Sequence, residues 1–134
     1  MTLERLRSPA IRVMMMPRDT NALGTIFGGQ ILSYIDQAGA VEAHRYTKGR
    51  LVTVALHEVE FHAPVFVGDL VSFYTEVLRI GTTSITVKVV VEAEHRLSGS
   101  EIVTVTEAEI VYVHVDENNE PRPIERRQAD SSLE

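Results

Sequence analysis

The chain of 134 residues has no cysteine and no tryptophan, and aromatic residues make up only 6% of it. Without cysteine, disulfides and thiol nucleophiles are both excluded, which suits a reducing cytoplasm. No apolar run approaches the length of a membrane span. The early run Val13-Met14-Met15-Met16 is too short for a signal peptide, and Pro17 closes it. Positive charge is also scarce: 13 Lys and Arg stand against 19 Asp and Glu, a net charge of −6. That balance argues against general nucleic-acid binding and against adhesion to an acidic membrane surface. An anionic ligand would have to be held by local basic side chains or backbone N–H groups. Internal repeats and low-complexity segments are absent.

What remains is an ordinary globular composition, 44% hydrophobic and 24% charged. The length fits one domain, with a real core but a tendency to lean on a partner. That domain is read as residues 1–115. Residues 116–134 are polar, carry Pro121 and Pro123, and are expected to form a loose tail.

Hydrophobic spacing orders the elements. Ile11 to Met16 reads as a short strand, followed by a loop from Pro17 to Gly24. From Gly28 to about Tyr46 the apolar residues recur at helical spacing. Four long strands then follow, Leu51–Phe61, Asp69–Arg79, Ser84–Arg96 and Glu101–Val115. The third alternates, with Ile85, Val87, Val89, Val91 and Ala93 on one face and Lys88, Glu92 and Glu94 on the other, Val90 being the exception. In the first, Val52, Val54 and Leu56 are out of phase with Val59 and Phe61, which predicts a bulge near His57-Glu58. Short turns join these strands, so the sheet is antiparallel. The expected fold is α+β: a curved antiparallel sheet of about five strands wrapped around one long central helix. Small residues Ala38, Gly39, Ala40 and Ala43 let sheet and helix approach. A single layer leaves an exposed edge strand, and pairing it with a second copy would give a homodimer with a continuous sheet.

Asp36 is the residue this pattern does not predict. It shares a helix face with Gly29, Leu32, Gly39, Ala40 and Ala43. A carboxylate there is costly unless it is hydrogen-bonded, protonated or in use. A helix-edge aspartate, partly solvated or bonded to nearby backbone, satisfies the same spacing. The five histidines, His44, His57, His62, His95 and His114, show no metal-ligand spacing. There is no P-loop, dinucleotide glycine motif or nucleophile elbow.

Several segments are similar to those of hot-dog-fold acyl-CoA thioesterases. The nearest branch is the bacterial short- and medium-chain acyl-CoA hydrolases, with the brain-type cytosolic ones. They are Met16-Pro17-Arg18-Asp19-Thr20-Asn21-Ala22, Gly24-Thr25-Ile26-Phe27-Gly28-Gly29, Asp36-Gln37-Ala38-Gly39-Ala40, Val52-Thr53-Val54-Ala55 and Phe61-His62-Ala63-Pro64-Val65-Phe66-Val67-Gly68-Asp69. Together they span roughly residues 12 to 115. The resemblance implies a cytoplasmic hydrolase that needs no cofactor or metal and takes CoA as part of its substrate. It implies a catalytic carboxylate at Asp36 and an asparagine at Asn21, contributed by different subunits of a dimer. It further implies assembly into a hexamer, as a trimer of dimers.

On that reading Asp36 activates water or attacks the thioester directly. The opening N–H groups of the helix, Gly29 first and Gly28 second, form a donor site for the oxyanion. Either glycine could equally serve close packing alone. Asn21 orients water or the thioester carbonyl, although an Asn in such a loop is often a plain turn residue. Candidates for the CoA phosphates are Arg79, Lys88, His95 and Arg96, with donors from Gly81, Thr82, Thr83 and Ser84. Two other readings fit the scaffold. An acyl-thioester dehydratase would rely on a histidine with a carboxylate, and the Gly28–Ala43 helix has none. A non-catalytic acyl-CoA-binding regulator would normally carry a fused DNA-binding segment, for which this length leaves no room.

Overall fold

The computed structural model describes residues 8–126. Five strands form one antiparallel sheet in the order β1-β3-β4-β5-β2. They are β1 (Ile11–Met14), β2 (Arg50–Phe61), β3 (Leu70–Ile80), β4 (Ser84–His95) and β5 (Glu101–Val115). One α-helix, α1 (Gly28–Ala43), packs against the face made by β3, β4 and β5.

The alternation read in β4 holds: Ile85, Val87, Val89, Val91 and Ala93 are all fully buried. With Val71 and Phe73 of β3 and Ala108, Ile110 and Tyr112 of β5, they meet Ile31, Ile35, Ala38 and Ala43 of the helix. Gly39 sits at the tightest approach. A Cβ there would overlap the Tyr112 hydroxyl and lie 2.8 Å from Ile110. Any side chain there would have to displace the phenol and Ile110 or lift the helix.

The helix is shorter than its hydrophobic spacing suggests. Arg45 N–H donates to Glu42 and Tyr46 N–H to Ala43, so the last turn tightens past Ala43. The phase change in β2 appears where expected, with the β2–β5 register shifting between His57 and Glu60. Glu58 there has a positive φ of 54°. A second shift, unforeseen, falls between Thr53 and Ala55.

The segment after β5 differs from the loose tail expected of it. Asp116 accepts N–H bonds from Asn118 and Glu120. Chiefly the bond from Glu120 holds its carboxyl below the usual range. Arg122 N–H then donates to His114, Ile124 N–H to Thr82, and the Arg126 guanidinium to Ile80. Residues 116–126 are therefore a clasp over the β3–β4 turn, made by main-chain bonds that polar composition does not reveal. The rest of the expected tail, 127–134, lies outside the described residues.

Candidate active site

Asp36 lies on the flank of α1 that faces β2. The buried side of the helix carries Ile31, Ile35, Ala38, Gly39, Glu42 and Ala43. Gly29, Ser33, Gln37 and Val41 are exposed. Asp36 stands half-buried at the border, so it does not share the core face with Gly39 and Ala43 as helical spacing suggested. Its carboxylate accepts a 2.6 Å hydrogen bond from the Thr53 hydroxyl. Its main-chain carbonyl accepts a second bond, also 2.6 Å, from the Tyr112 hydroxyl. Thr53 and Tyr112 are cross-strand partners in the β2–β5 ladder. One rung of the sheet thus grips one helical residue by side chain and backbone together. Burial, reinforced by the Asp36 charge, pushes the Tyr112 phenol well above its ordinary range, so it remains a donor.

Thr53 was not singled out from the sequence, although it sits inside one of the resembling segments. A polar residue amid Val52, Val54 and Ala55 was the available signal. What marks it as a candidate is its reach to Asp36, which depends on sheet register.

The helix opens without a side-chain cap at Phe27 and without an acidic residue in its first turn. Gln30 and Ile31 donate to the Phe27 carbonyl. Among the described residues this leaves the N–H groups of Gly28 and Gly29 unpaired. Gly29 is exposed, with open space where a Cβ would project. Gly28 lies under the Phe61 ring, and a Cβ there would make ordinary contact at 3.5 Å.

Asn21 holds its own loop. Its Oδ1 accepts from Leu23 N–H at 2.8 Å and Thr25 N–H at 3.2 Å, and its Nδ2 donates to the Thr25 hydroxyl at 2.9 Å. Within one chain it makes no bond to Asp36. The loop projects Leu23 into solvent at 88% exposure, as it would if the loop reaches toward a neighbour.

The CoA-phosphate candidates fall in three places. Arg79 and the Gly81-Thr82-Thr83-Ser84 turn lie at the Asp36 end of the sheet, since Ser84 and Ile85 pair with Val113 and Tyr112. His95 and Arg96 lie at the other end of β4, about 36 Å away at the usual strand rise of about 3.3 Å per residue. His95 Nδ1 is 2.7 Å from the buried Asp69 carboxylate, and Arg96 is 3.7 Å from Glu94. Lys88 pairs across the ladder with Glu76 on one side and Glu109 on the other. It lines an acidic groove with Glu58, Glu60, His62 and Glu107. One chain therefore cannot bring all these residues to one nucleotide, and only the first group lies near Asp36. Among the described residues no group of three His, Asp or Glu side chains could hold a metal ion, and no helix is long and apolar enough to cross a membrane.

A strip of exposed apolar side chains adjoins Asp36. Val54 is 54% exposed, and Leu56 and Phe61 on β2 and Phe27 before the helix are also open. β2 is one of the sheet's two outer strands, β1 being the other, so its free edge and this strip lie together.

Comparison with known proteins follows the same lines. The family described as thioesterase superfamily matches residues 23–100. The chain is 40% identical over 116 residues to the acyl-CoA thioester hydrolase YciA of Salmonella typhimurium, covering 85% of this chain and 87% of that protein. Among solved structures, a hexameric hot-dog-fold thioesterase of Campylobacter jejuni is 41% identical, with a TM-score of 0.82 over 88% of this chain and 90% of that one. A hexameric broad-specificity acyl-coenzyme A thioesterase is 40% identical, with a TM-score of 0.85 over 92% of this chain and 84% of its own.

Proposed function

This chain belongs to the thioesterase superfamily and is a thioester hydrolase, and from that premise we propose that it cleaves acyl-CoA to free CoA and a carboxylic acid, with Asp36 as the acting group. The observation that carries the reading is a half-buried carboxylate, fixed at 2.6 Å by Thr53, beside an apolar sheet edge. A structural aspartate would gain nothing from facing such an edge, whereas a thioester site needs a carboxylate next to apolar surface for the acyl chain.

Asp36 acts as general base for a water, or as nucleophile through a mixed anhydride that water then opens. Thr53 bonds one carboxylate oxygen and turns the other toward the substrate. The oxyanion is met by the unpaired N–H groups at Gly28 and Gly29. These cannot come from the same helix as the acting carboxylate. Gly29 and Asp36 are seven residues apart, about 10 Å along the axis at a rise of about 1.5 Å per residue. A two-fold axis at the β2 edge sets two helices antiparallel and brings one N-terminus beside the other Asp36. Asn21 of the partner subunit enters from its projecting loop, to orient water or the carbonyl. The dimer joins its sheets through β2, and three dimers form a hexamer, a subunit number supported by two similar solved structures described as hexameric. Arg79 and the Gly81–Ser84 turn meet the CoA phosphates at the same end, and no cofactor takes part.

The reading is tested by following free thiol release from a series of straight-chain acyl-CoAs. Wild type is expected to turn over at least part of the series, and silence across all chain lengths would remove the assignment. Thr53→Val is expected to lower kcat about tenfold, the worth of one hydrogen bond to a charged group, with KM little changed. An unaltered kcat would take Thr53 out of the machinery.

A further inference from the structure

We propose that Tyr112 is a positioning residue for the acting carboxylate, working through the main chain of Asp36 and dependent on the empty slot at Gly39. The inference rests on Asp36 being the acting group, and the tests below separate its failure from the failure of that reading.

Tyr112 is only 1% exposed, and a phenol buried so deeply must find a partner for its hydroxyl. Other acceptors would satisfy it. The one it takes is the backbone carbonyl of Asp36, at 2.6 Å. That oxygen also belongs to the helical ladder, and a carbonyl has two lone pairs, so the second bond adds restraint at no cost to the helix. The approach exists because residue 39 lacks a side chain: any Cβ there would overlap the phenol oxygen. Gly39 is three residues on from Asp36, so it opens the helix surface directly over this carbonyl.

The ladder register supplies the second half. Tyr112 faces Thr53, whose hydroxyl holds the Asp36 carboxylate, and β2 shifts register immediately afterwards, before Ala55. Backbone and side chain of Asp36 are therefore fixed by opposite members of one cross-strand pair. Losing the phenol hydroxyl frees the helix to shift against the sheet at this level, and the Thr53 bond then no longer fixes the free carboxylate oxygen. Because that hydroxyl does not ionise over the working pH range, the restraint is constant.

The test is Tyr112→Phe, which keeps the ring in the core and removes only the donor. Its kcat is expected to fall about tenfold with KM within about twofold, since restraint of the acting group and not substrate binding is lost. Gly39→Ala, which pushes the hydroxyl aside from the helix, should show the same split if it folds. In the double variant Tyr112→Phe, Thr53→Val the losses should fall clearly short of the ~100-fold product, because both act on one carboxylate. A kcat of Tyr112→Phe within about twofold of wild type would overturn the proposal, as would fully additive losses in the double variant. If Asp36→Ala retains full turnover, the functional reading itself has failed. If Asp36→Ala is inactive while Tyr112→Phe is not impaired, only this inference has.

Discussion

Asp36→Ala is expected to lower turnover of any accepted acyl-CoA by at least ~100-fold, the low end for loss of a general base. The expectation follows from the geometry. The variant removes the half-buried carboxylate that α1 presents beside the apolar β2 edge, with Thr53 fixing its direction. No histidine in α1 stands ready to replace it. The fold should survive, because Asp36 lies at the border of the core and the Thr53 hydroxyl can return to water. A stability change within about 0.5 kcal/mol is expected, as for other substitutions that create neither a cavity nor a buried unpaired group. Asp36→Asn keeps the shape and removes the charge, and its loss should be of the same order. A steady-state assay beside a thermal melt checks both halves, and an active Asp36→Ala enzyme would leave the site without its acting group.

The second large effect concerns the sheet edge. Placing lysine at both Val54 and Leu56 puts two charges on the exposed apolar strip of β2, a device proteins use to prevent strands from pairing. Both side chains are already open in the single chain, at 54% and 37% exposure, so the protomer should keep its circular dichroism spectrum. The assembly should not persist: sedimentation is expected to show monomers. Turnover should fall at least ~100-fold although Asp36, Thr53 and Tyr112 are unaltered, because the proposed site takes its carboxylate and its oxyanion donors from different chains. A monomer that hydrolyses acyl-CoA at the wild-type rate would show that the site is complete within one protomer.

Much of this arrangement is legible in the residues. The alternation of β4, broken at Val90, and the apolar periodicity of α1 announce a helix on a sheet, because both faces must be buried against each other. The phase slip between Leu56 and Val59 announces the bulge at Glu58. Asp36 is singled out by a spacing argument that puts it on the apolar face, whereas it stands at that face's border. Less visible are contacts set by register between distant strands. Thr53 and Tyr112 become a pair only when β2 lies beside β5 in one particular alignment, and nothing local to either residue reports it. The same holds for Lys88, whose ladder neighbours Glu76 and Glu109 are set only by register. It holds for His95, which reads as a phosphate ligand until Asp69 takes its Nδ1. The clasp at 116–126 is invisible for a different reason: it is made of backbone bonds to Thr82 and His114, while its composition is that of a solvated tail.

The shared site is tested most directly by mixing two inactive variants, Asn21→Ala and Asp36→Ala. After dissociation and re-association at equal concentrations, about half of the dimers are hybrids, each with one intact and one doubly defective site, so about one quarter of wild-type activity is expected. Mass spectrometry of the mixed assembly verifies the exchange. Activity rising toward that level, from two preparations each silent alone, is the predicted result. A mixture that stays silent after proven exchange would contradict a site built from Asp36 of one protomer and Asn21 of its partner.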